Sequence, residues 1–323
     1  MAEDKTFYCK VNKEMKKFFI ITVDTEGDNL WEYNKGDEIK TQNALYIQPF
    51  QELCEKYGFK PVYLTNYEMA NSEEFVTQAK KWQNSGNCEI GLHLHAWNNP
   101  PIVDLNGPYN GNPYLIEYDE RVMWQKFEYL NNLIIKQFGK KPVSHRAGRW
   151  AMDDRYFKIL KEFDIKVDCS FTPGVSWCAS KGVTIGGSDY TMLPRTAQWI
   201  DGVLEVPATI RRFRNCLNGS FKHRVKSLLL GEDVWMRPAM SNYSVMKRVV
   251  DIVKLEKDVN FVEFMIHSSE LMPNGSPYFR TEEAVKEEFR TMEAIFSYAK
   301  KCGFEGITLK EYYKQHENTP SNI

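Results

Sequence analysis

The sequence predicts an α/β fold, a single (β/α) barrel built around a parallel sheet. Short, uninterrupted apolar segments, such as residues 18–23 and 260–266, are typical of strands that are buried on both faces. These segments alternate with helical segments that are apolar on one face, which indicates repeated βα units. No G-x-G-x-x-G follows the first strand and no P-loop is present, which disfavours dinucleotide- and triphosphate-binding folds.

The individual elements follow from this alternation and from local stop signals. Gly58, Gly139 and Gly303 follow the ends of predicted helices, and Thr281 is the predicted N-cap of the last long helix. Strands are predicted at 18–23, 61–64, 88–92, 142–145, 165–169, 260–266 and near 305–308. Helices are predicted at 44–57, 73–83, 119–138, 153–163, 243–255 and 281–302, with a further helix near the end of the chain.

The chain is predicted to form one domain, residues 17–316, between polar tails at 1–16 and 317–323. Residues 172–207 are predicted to be irregular, with β-like pieces at 190–193 and 203–206. Together with the basic stretch that follows, they indicate a region inserted into the barrel near 172–240.

Composition excludes some classes of function. The 323 residues are 42% hydrophobic and carry a net charge of −1, so global charge predicts neither a nucleic acid nor a membrane as partner. The seven cysteines are scattered and contain no C-x-x-C pair, which is typical of reduced thiols. The first 17 residues are polar and lack the apolar region of a signal peptide. We therefore expect a cytoplasmic protein.

Ionisable side chains lie at or just beyond the carboxyl ends of the predicted strands. In a parallel barrel these ends meet at one mouth, where active sites lie. The residues concerned are Asp24, Glu26, His93, His95, Arg146, Asp168 and His267.

The residue types indicate a metal-dependent hydrolase. His93 and His95 are two residues apart at the end of a strand, so their imidazoles project from the same face. Together with Glu26 they supply donors suited to Zn²⁺ or a similar divalent ion, with water completing the shell.

The remaining groups suit acid–base chemistry on an acyl bond. Asp24 is placed to take a proton from water, and Arg146 is placed to orient Asp24 and to hold down its pKa. His267 is placed to protonate a leaving group. Asp168 is expected either to orient His267 or to pair with Arg146.

Five motifs, in order, resemble those of the polysaccharide deacetylases, also called carbohydrate esterase family four or the NodB homology domain. They are residues 22–26 (Thr-Val-Asp-Thr-Glu), 89–95, 146–150, 168–170 and 264–267. The resemblance spans residues 18 to about 310. It implies a distorted (β/α)₇ barrel that hydrolyses N-acetyl groups from amino sugars. It also implies that Asp24 is the base and His267 the general acid.

The chain departs from the family pattern at two positions, and these departures leave alternatives open. Glu26 stands where the family has Asp, and Trp97 stands where it has the second metal histidine, so we expect His95 to replace that ligand. One alternative is a catalytically silent barrel that binds glycans or carrier lipids. Another is a hydrolase of other non-peptide C–N bonds.

Four further residues are predicted to contact the substrate. Trp97 and Trp150 either form the floor of a sugar site or pack in the core. Ile266 and Glu270 flank the general acid and are also expected to line the site. His145, which precedes Arg146, should point to the opposite face and act as a packing residue.

A basic stretch lies within the inserted region. It is either a solvated surface or a contact for a phosphate-bearing sugar carrier, which could lie at a membrane surface. Its residues are Arg211, Arg212, Arg214, Lys222, Arg224 and Lys226. The sequence predicts neither the sugar nor the oligomeric state.

Overall fold

A computed structural model describes residues 15–214 and 231–317 of the chain. Within these ranges the strands, in chain order, are β1 Phe18–Thr25, β2 Pro61–Thr65, β3 Glu89–Leu94, β4 Ser144–Ala147, β5 Val167–Asp168, β6 Gln198–Ile200, β7 Val203–Glu205, β8 Ile210–Phe213, β9 Glu232–Trp235, β10 Phe261–His267 and β11 Glu305–Gly306. The α-helices are α1 Ile47–Lys56, α2 Tyr67–Ala70, α3 Glu73–Asn84, α4 Glu120–Phe138, α5 Asp154–Glu162, α6 Tyr243–Leu255, α7 Glu282–Lys301 and α8 Leu309–His316.

The main sheet is curled and parallel, and it forms an open half-barrel. Strands β10, β1, β2, β3, β4, β5 and β7 lie side by side in that order, and each pairs with its neighbour in parallel. Strand β6 adds to β7 in the antiparallel direction, and β11 pairs with the start of β1. The prediction of a distorted (β/α) barrel is confirmed.

The inserted region bridges the gap between the two edges of the curled sheet. Strands β8 and β9 form a separate antiparallel pair. The backbone N–H of Met265 in β10 donates to the carbonyl of Met236 (3.0 Å), and the N–H of Met236 donates to the carbonyl of Thr209 (3.1 Å). Among the described residues, β7 and β10 do not pair directly. Met236 links the chain that follows β7 to β10 instead.

Capping explains where the predicted helices begin and end. Asp119 accepts a hydrogen bond from the N–H of Val122 at the start of α4, and Gly139 ends that helix with φ +73°. At α7, Thr281 accepts from the N–H of Ala284, and Gly303 follows with φ +86°. Positive φ is tolerated by glycine without steric cost, so both glycines stop their helices.

One predicted β-like piece, residues 190–193, is not a strand. Tyr190 directly precedes a turn at residues 191–192, and its ring packs 4.9 Å from that of Phe171. Its hydroxyl donates to the carbonyl of Trp150. Backbone hydrogen bonds hold it as well, since the N–H of Tyr190 donates to the carbonyl of Val175 and the carbonyl of Tyr190 accepts from the N–H of Gly174 (2.9 Å each).

Two further findings bear on the sequence predictions. The cysteines within the described residues, Cys54, Cys88, Cys169, Cys178 and Cys302, are all unpaired. In the part of the chain that the structure describes, no helix is long and apolar enough to cross a membrane.

Candidate active site

Strand register brings the predicted catalytic residues together at the carboxyl end of the sheet. Asp24 lies opposite His267 in the β1–β10 pair, and His93 lies opposite Arg146 in the β3–β4 pair. Because alternate residues of a strand share a face, Asp24 projects on the same side of β1 as Thr22. Arg146 reaches across from β4 to contact both of them.

Glu26, His93 and His95 form a buried group of potential metal ligands. Each offers one ligand atom, and these atoms all lie within 4.8 Å of one another. Glu26 Oε2 is 2.8 Å from His95 Nε2 and 3.4 Å from His93 Nε2. The two imidazole rings are perpendicular, with centroids 4.6 Å apart. His95 therefore reaches the same carboxylate as His93.

This donor set suits a divalent ion. In a tetrahedral zinc site with imidazole and carboxylate ligands, the ligand atoms are roughly 3.3 Å apart. Glu26 Oε2 and His93 Nε2 are already at about that distance. Glu26 Oε2 and His95 Nε2 are closer, and they would have to move apart by about 0.5 Å. His93 Nδ1 donates to the carbonyl of Arg146 (3.0 Å), which leaves Nε2 facing the site, as is usual for a ligating histidine.

Protonation of two of these groups also favours ligation. Burial lowers the pKa of His95 to about 4, and the charge of His93 acts in the same direction, so His95 is neutral at neutral pH. Burial by itself would raise the pKa of Glu26. The charge of His267 and the hydrogen bonds from His93 and His95 outweigh burial and lower that pKa below its usual value. A neutral imidazole and a carboxylate are the forms that bind metals. His93 differs: burial by itself would lower its pKa, but the charge of Asp24 and the hydrogen bond to Glu26 outweigh burial and raise it, so a metal would displace a proton from His93.

Two buried side chains fix the backbone of Glu26. Ser268 Oγ accepts from the N–H of Glu26 (3.1 Å) and lies 3.2 Å from its carbonyl, to which its hydroxyl donates. Asn43 Nδ2 donates to the same carbonyl (2.9 Å). The carboxylate of Glu26 therefore projects from a backbone position that is held on both sides.

Arg146 is fully buried and joins two carboxylates. Its Nη1 donates to Asp24 Oδ1 (2.5 Å), and its Nη2 donates to Glu263 Oε1 (2.5 Å) and to Thr22 Oγ1 (2.9 Å). Burial by itself would raise the pKa of Asp24, but the charges of Arg146, His93 and His267 outweigh it and lower the pKa below its usual value. Asp24 is therefore a carboxylate at neutral pH, with Oδ2 directed towards His93 Nε2 (3.9 Å).

His267 lies on the other side of Asp24. Its Nε2 is 3.7 Å from Asp24 Oδ2 and 3.8 Å from Glu26 Oε1. Arg237 Nη2 lies 3.0 Å from His267 Nδ1 and forms an ion pair with Glu270 Oε1 (2.5 Å). Glu270 Oε1 is also 3.8 Å from Nδ1, so that nitrogen faces both a cation and a carboxylate, while Nε2 faces the site.

Asp168 has a different partner from either of those expected. His145 Nδ1 donates to Asp168 Oδ1 (2.7 Å), and Ser170 Oγ donates to the same oxygen (2.8 Å). His145 and Asp168 are opposite each other in the β4–β5 pair and share a face, whereas Arg146 projects from the other face of β4. A catalytic role for Asp168 stays a prediction, and it would have to act through β4.

The four predicted substrate residues lie in different surroundings. Trp97 is half-buried, and its ring packs 4.2 Å from that of His95. Trp150 is 9% exposed and lies over the Arg146 guanidinium at 4.8 Å. Ile266 and Glu270 are fully buried, and Glu270 contacts Arg237 and the backbone N–H of His267. Substrate contact by these residues stays a prediction, which only the position of Trp97 favours.

The basic stretch is only partly described. Arg211 is buried and pairs with Glu256 (2.5 Å), and Arg212 Nη1 pairs with Asp233 (3.0 Å), while Arg214 is exposed. Lys222, Arg224 and Lys226 lie outside the described residues. Contact with a phosphate-bearing carrier stays a prediction.

The sequence did not point to three residues of the site. Glu263 holds Arg146 from β10, and a charge inside an apolar strand was a signal that could have identified it. Arg237 follows β9 in the inserted region, where no periodic pattern marks it. Trp31 lies in the loop after β1, with its ring 4.8 Å from that of His267.

No family model and no curated protein matches the chain. Among solved structures, the chain is similar to a proposed glycoside hydrolase/deacetylase from Parabacteroides distasonis, with a TM-score of 0.59, 12% identity, and 96% of this chain and 74% of the other covered. It is also similar to a GH57-type branching enzyme from the hyperthermophilic archaeon Pyrococcus horikoshii (TM-score 0.53, 12% identity, 96% and 72% covered). A third match is a proposed polysaccharide deacetylase from Mycobacterium smegmatis (TM-score 0.50, 13% identity, 95% and 94% covered).

These likenesses extend over most of the chain, but at this level of identity they concern the backbone alone. The fold is shared by proteins described as deacetylases and by one described as a branching enzyme. It does not by itself decide between these chemistries, which depend on the side chains at the mouth of the barrel. The chain has a divergent NodB-like polysaccharide deacetylase fold.

Proposed function

We propose that the protein is a metal-dependent deacetylase that removes N-acetyl or similar acyl groups from an amino sugar in a glycan or on a carrier. One observation carries the proposal. The predicted base Asp24 and the predicted acid His267 both lie within 4 Å of the group formed by Glu26 and His93. This arrangement brings a ligand group, a base and an acid to one point, as hydrolysis of an amide requires.

Glu26, His93 and His95 would hold the ion, with Zn²⁺ as the first choice because two imidazoles and one carboxylate are a common catalytic zinc set. A divalent ion there would polarise the acyl carbonyl and make water more acidic. The chain must keep these three ligands in place. Ser268 and Asn43 hold the backbone of Glu26, and the Arg146 carbonyl holds the ring of His93.

Asp24 is the proposed base. Arg146 occupies Oδ1, so Oδ2 is left to accept the proton of the attacking water. The lowered pKa of Asp24 keeps the carboxylate ionised at neutral pH, and therefore ready to accept. Arg146 also fixes the direction of the carboxylate, because Glu263 and Thr22 hold the guanidinium from behind.

His267 is the proposed acid. As the oxygen of water bonds to the acyl carbon and the C–N bond breaks, the amine nitrogen must gain a proton to leave. In the acid form His267 is the imidazolium, with a proton on each ring nitrogen. Nε2, 3.7 Å from Asp24 Oδ2, gives its proton to the amine, and Nδ1 keeps the other, 3.8 Å from Glu270 Oε1. The proton taken by Asp24 and the proton given by His267 balance the reaction to a carboxylic acid and an amine.

The proposal is tested by acetate release from the full chain. Protein loaded with Zn²⁺ would be incubated with N-acetylhexosamines and their oligomers, and acetate, free amine and reducing ends would be measured together. We expect acetate and amine in equal amounts, with loss of both in Asp24→Asn. Asp201→Asn is the matched control, because Asp201 is a surface carboxylate paired with Lys161.

Other outcomes would count against the proposal in distinct ways. New reducing ends without acetate would indicate hydrolysis of glycosidic bonds instead. Sugar binding without any product, despite bound metal, would favour the silent barrel. Hydrolysis of simple amides or cyclic ureides but of no N-acetyl sugar would favour the hydrolase of other C–N bonds.

A further inference from the structure

The imidazole of His267 is contacted at both nitrogens, and these contacts act at the edges of the ring. Nε2 lies 3.7 Å from Asp24 Oδ2, while Nδ1 lies 3.0 Å from Arg237 Nη2 and 3.8 Å from Glu270 Oε1. The ring itself is contacted by the indole of Trp31, with centroids 4.8 Å apart and planes inclined at 61°. The proposed reaction gives this contact no role.

Core packing does not account for Trp31. Its side chain is 37% exposed, and among the described residues it belongs neither to the hydrophobic core nor to the partly buried side chains that pack on the core. Its ring contacts are with His267 and with Tyr278, whose ring is 5.9 Å away and nearly perpendicular to the indole. Edge-to-face contacts of this kind favour a defined orientation of the two rings. The surroundings of Trp31 therefore point to the acid rather than to the core.

The loop that carries Trp31 is fastened to the loop that follows β10. The backbone N–H of Asn29 donates to the carbonyl of Gly275 (3.0 Å), and Glu32 Oε1 pairs with Arg280 Nη2 (2.8 Å). Asn29 and Glu32 lie on either side of Trp31 in the sequence. A loop that begins at β1 is therefore held across the carboxyl end of β10, where the acid lies.

Local sequence specifies the turn that presents the indole. Asn29 has φ +47°, a left-handed conformation in which asparagine is enriched, and a 3₁₀ turn over Leu30–Glu32 follows. Asn29 Nδ2 donates to Glu32 Oε2 (2.8 Å), which closes the turn. Just before it, a Cβ on Gly27 would lie 2.1 Å from a side-chain carbon of Ile39, so glycine allows the loop to fold back this closely. The chain itself therefore defines the position of the indole.

A second aromatic ring joins Trp31 to the other support of the acid. The guanidinium of Arg237 lies over the ring of Tyr278, 5.6 Å from its centroid, and Tyr278 contacts Trp31. The group at Nδ1 and the indole against the ring are thus linked to each other. The imidazole is enclosed by connected side chains from three loops, those after β1, β9 and β10.

The direction of Nε2 determines whether His267 can act as the acid. A proton donor must come within about 2.6–3.2 Å of the atom that receives the proton. Rotation of an imidazole about its Cβ–Cγ bond is broad, and the indole packed against the ring restricts it. A misplacement of about 1 Å can lower a rate by about 10²-fold. Removing the indole should therefore slow the step that needs the proton.

We propose that Trp31 is a positioning residue, which holds the imidazole of His267 in the orientation from which Nε2 protonates the leaving amine. The inference rests on the proposed function for the role of His267. It concerns one step, in which the C–N bond breaks as Nε2 gives its proton to the nitrogen. A leaving group that departs as a stable anion, such as 4-nitrophenolate, needs no proton, so Trp31 should matter far less for its release.

The first test compares two acetyl substrates with the zinc-loaded full chain: the N-acetylhexosamine ligand that gives the most acetate, and 4-nitrophenyl acetate. Trp31→Ala should lower kcat for the amide by about tenfold or more, change KM less, and lower the rate with the ester by less than about twofold. Trp31→Phe, which keeps a ring beside His267, should recover most of the loss. Tyr46→Ala is the matched control, because Tyr46 is 41% exposed, lies between β1 and α1, and makes no ring contact with His267 among the described residues.

The second test needs no turnover. Histidine would be labelled with ¹³C at Cε1 in the zinc-loaded full chain, and the signal of His267 assigned with His267→Gln. By ¹³C relaxation, we expect the Cε1 group of His267 to be rigid in the wild type and more mobile in Trp31→Ala. Trp31→Phe should resemble the wild type.

Equal losses with the amide and the ester, no loss with the amide, or unchanged mobility of His267 in Trp31→Ala would each overturn the inference. The two proposals can fail separately. If the wild type releases no acetate from any sugar, the proposed function fails, and the relaxation measurement decides whether Trp31 holds the imidazole. If acetate is released and Trp31→Ala behaves as Tyr46→Ala does, the positioning role fails and the proposed function stands.

Discussion

Replacing Arg146 by Met should destabilise the fold by removing a cation that two buried carboxylates share. Arg146 is fully buried, with Asp24 and Glu263 each 2.5 Å from its guanidinium nitrogens. Met retains much of the aliphatic stem and supplies no charge. The substitution therefore removes the electrostatic partner with a small change in packing.

The expected cost is about 3–5 kcal/mol, the usual effect of breaking a buried ion pair by removing one partner. A domain of ordinary stability has about 5–15 kcal/mol in total, so the variant should still fold. Because Arg146 keeps the pKa of Asp24 below its usual value, this stabilisation is present above the usual pKa of an aspartate. It is lost as the pH falls through the lowered pKa of the folded state. The difference between wild type and variant should therefore shrink under acid.

The assay is urea unfolding in the presence of a chelator, at neutral and at acid pH, arranged as a double-mutant cycle. Asp24→Asn removes the charge of one of the two orphaned carboxyl groups, so Arg146→Met should cost at least about 1 kcal/mol less in that background. A loss below about 1 kcal/mol at neutral pH, or an equal loss with and without Asp24→Asn, would refute the buried pair. Arg146→Lys, which keeps the charge but not the fork, should fall between wild type and Arg146→Met.

Three further predictions concern the site and its supports. Asp24→Asn should lower turnover by about 10²–10⁴-fold with unchanged metal content, as measured by acetate release and metal analysis; near-normal turnover would exclude Asp24 as the base. Arg237→Met should lower kcat by about 10–100-fold, with partial rescue in Arg237→Lys and a smaller effect on KM, because the cation that holds Glu270 beside His267 Nδ1 is lost; equal kinetics of both variants would argue against this role. Lys126 is buried and donates to the carbonyls of three residues between Ala96 and Pro101, so Lys126→Met should lower stability by about 1–3 kcal/mol in thermal or urea unfolding. Burial lowers the pKa of Lys126 to about 8 from 10.5, so between these two pH values the unfolded chain binds more protons than the folded one. The free energy of unfolding of the wild type should therefore rise with pH across that window. The rise should be absent in Lys126→Met.

The sequence predicts the barrel and the mouth of the site well, for a physical reason. Asp24, His93, Arg146 and His267 each occur at the end of an apolar strand, and parallel topology brings such ends together. The alternation of side chains along a strand also predicted that His145 would face away from Arg146. In the structure His145 packs between Asp168 and Tyr156.

Contacts that depend on register or on loops could not be predicted in the same way. The pairing of Asp168 with His145 requires the β4–β5 register, which apolar segments do not specify when both faces are buried. Arg237 meets His267 only because the inserted region bridges β10 and the strand edge beyond β7. Trp31 meets His267 only because two loops far apart in the chain come together, and loops carry no periodic signal.

The central claim is that Glu26, His93 and His95 hold a catalytic ion. Anomalous X-ray diffraction from crystals grown with Zn²⁺ tests it most directly. We expect one strong peak about 2.0–2.2 Å from Glu26 Oε2, His93 Nε2 and His95 Nε2, with the peak lost in Glu26→Ala. A peak that excludes His95, or no peak at this group while zinc binds elsewhere, would contradict it.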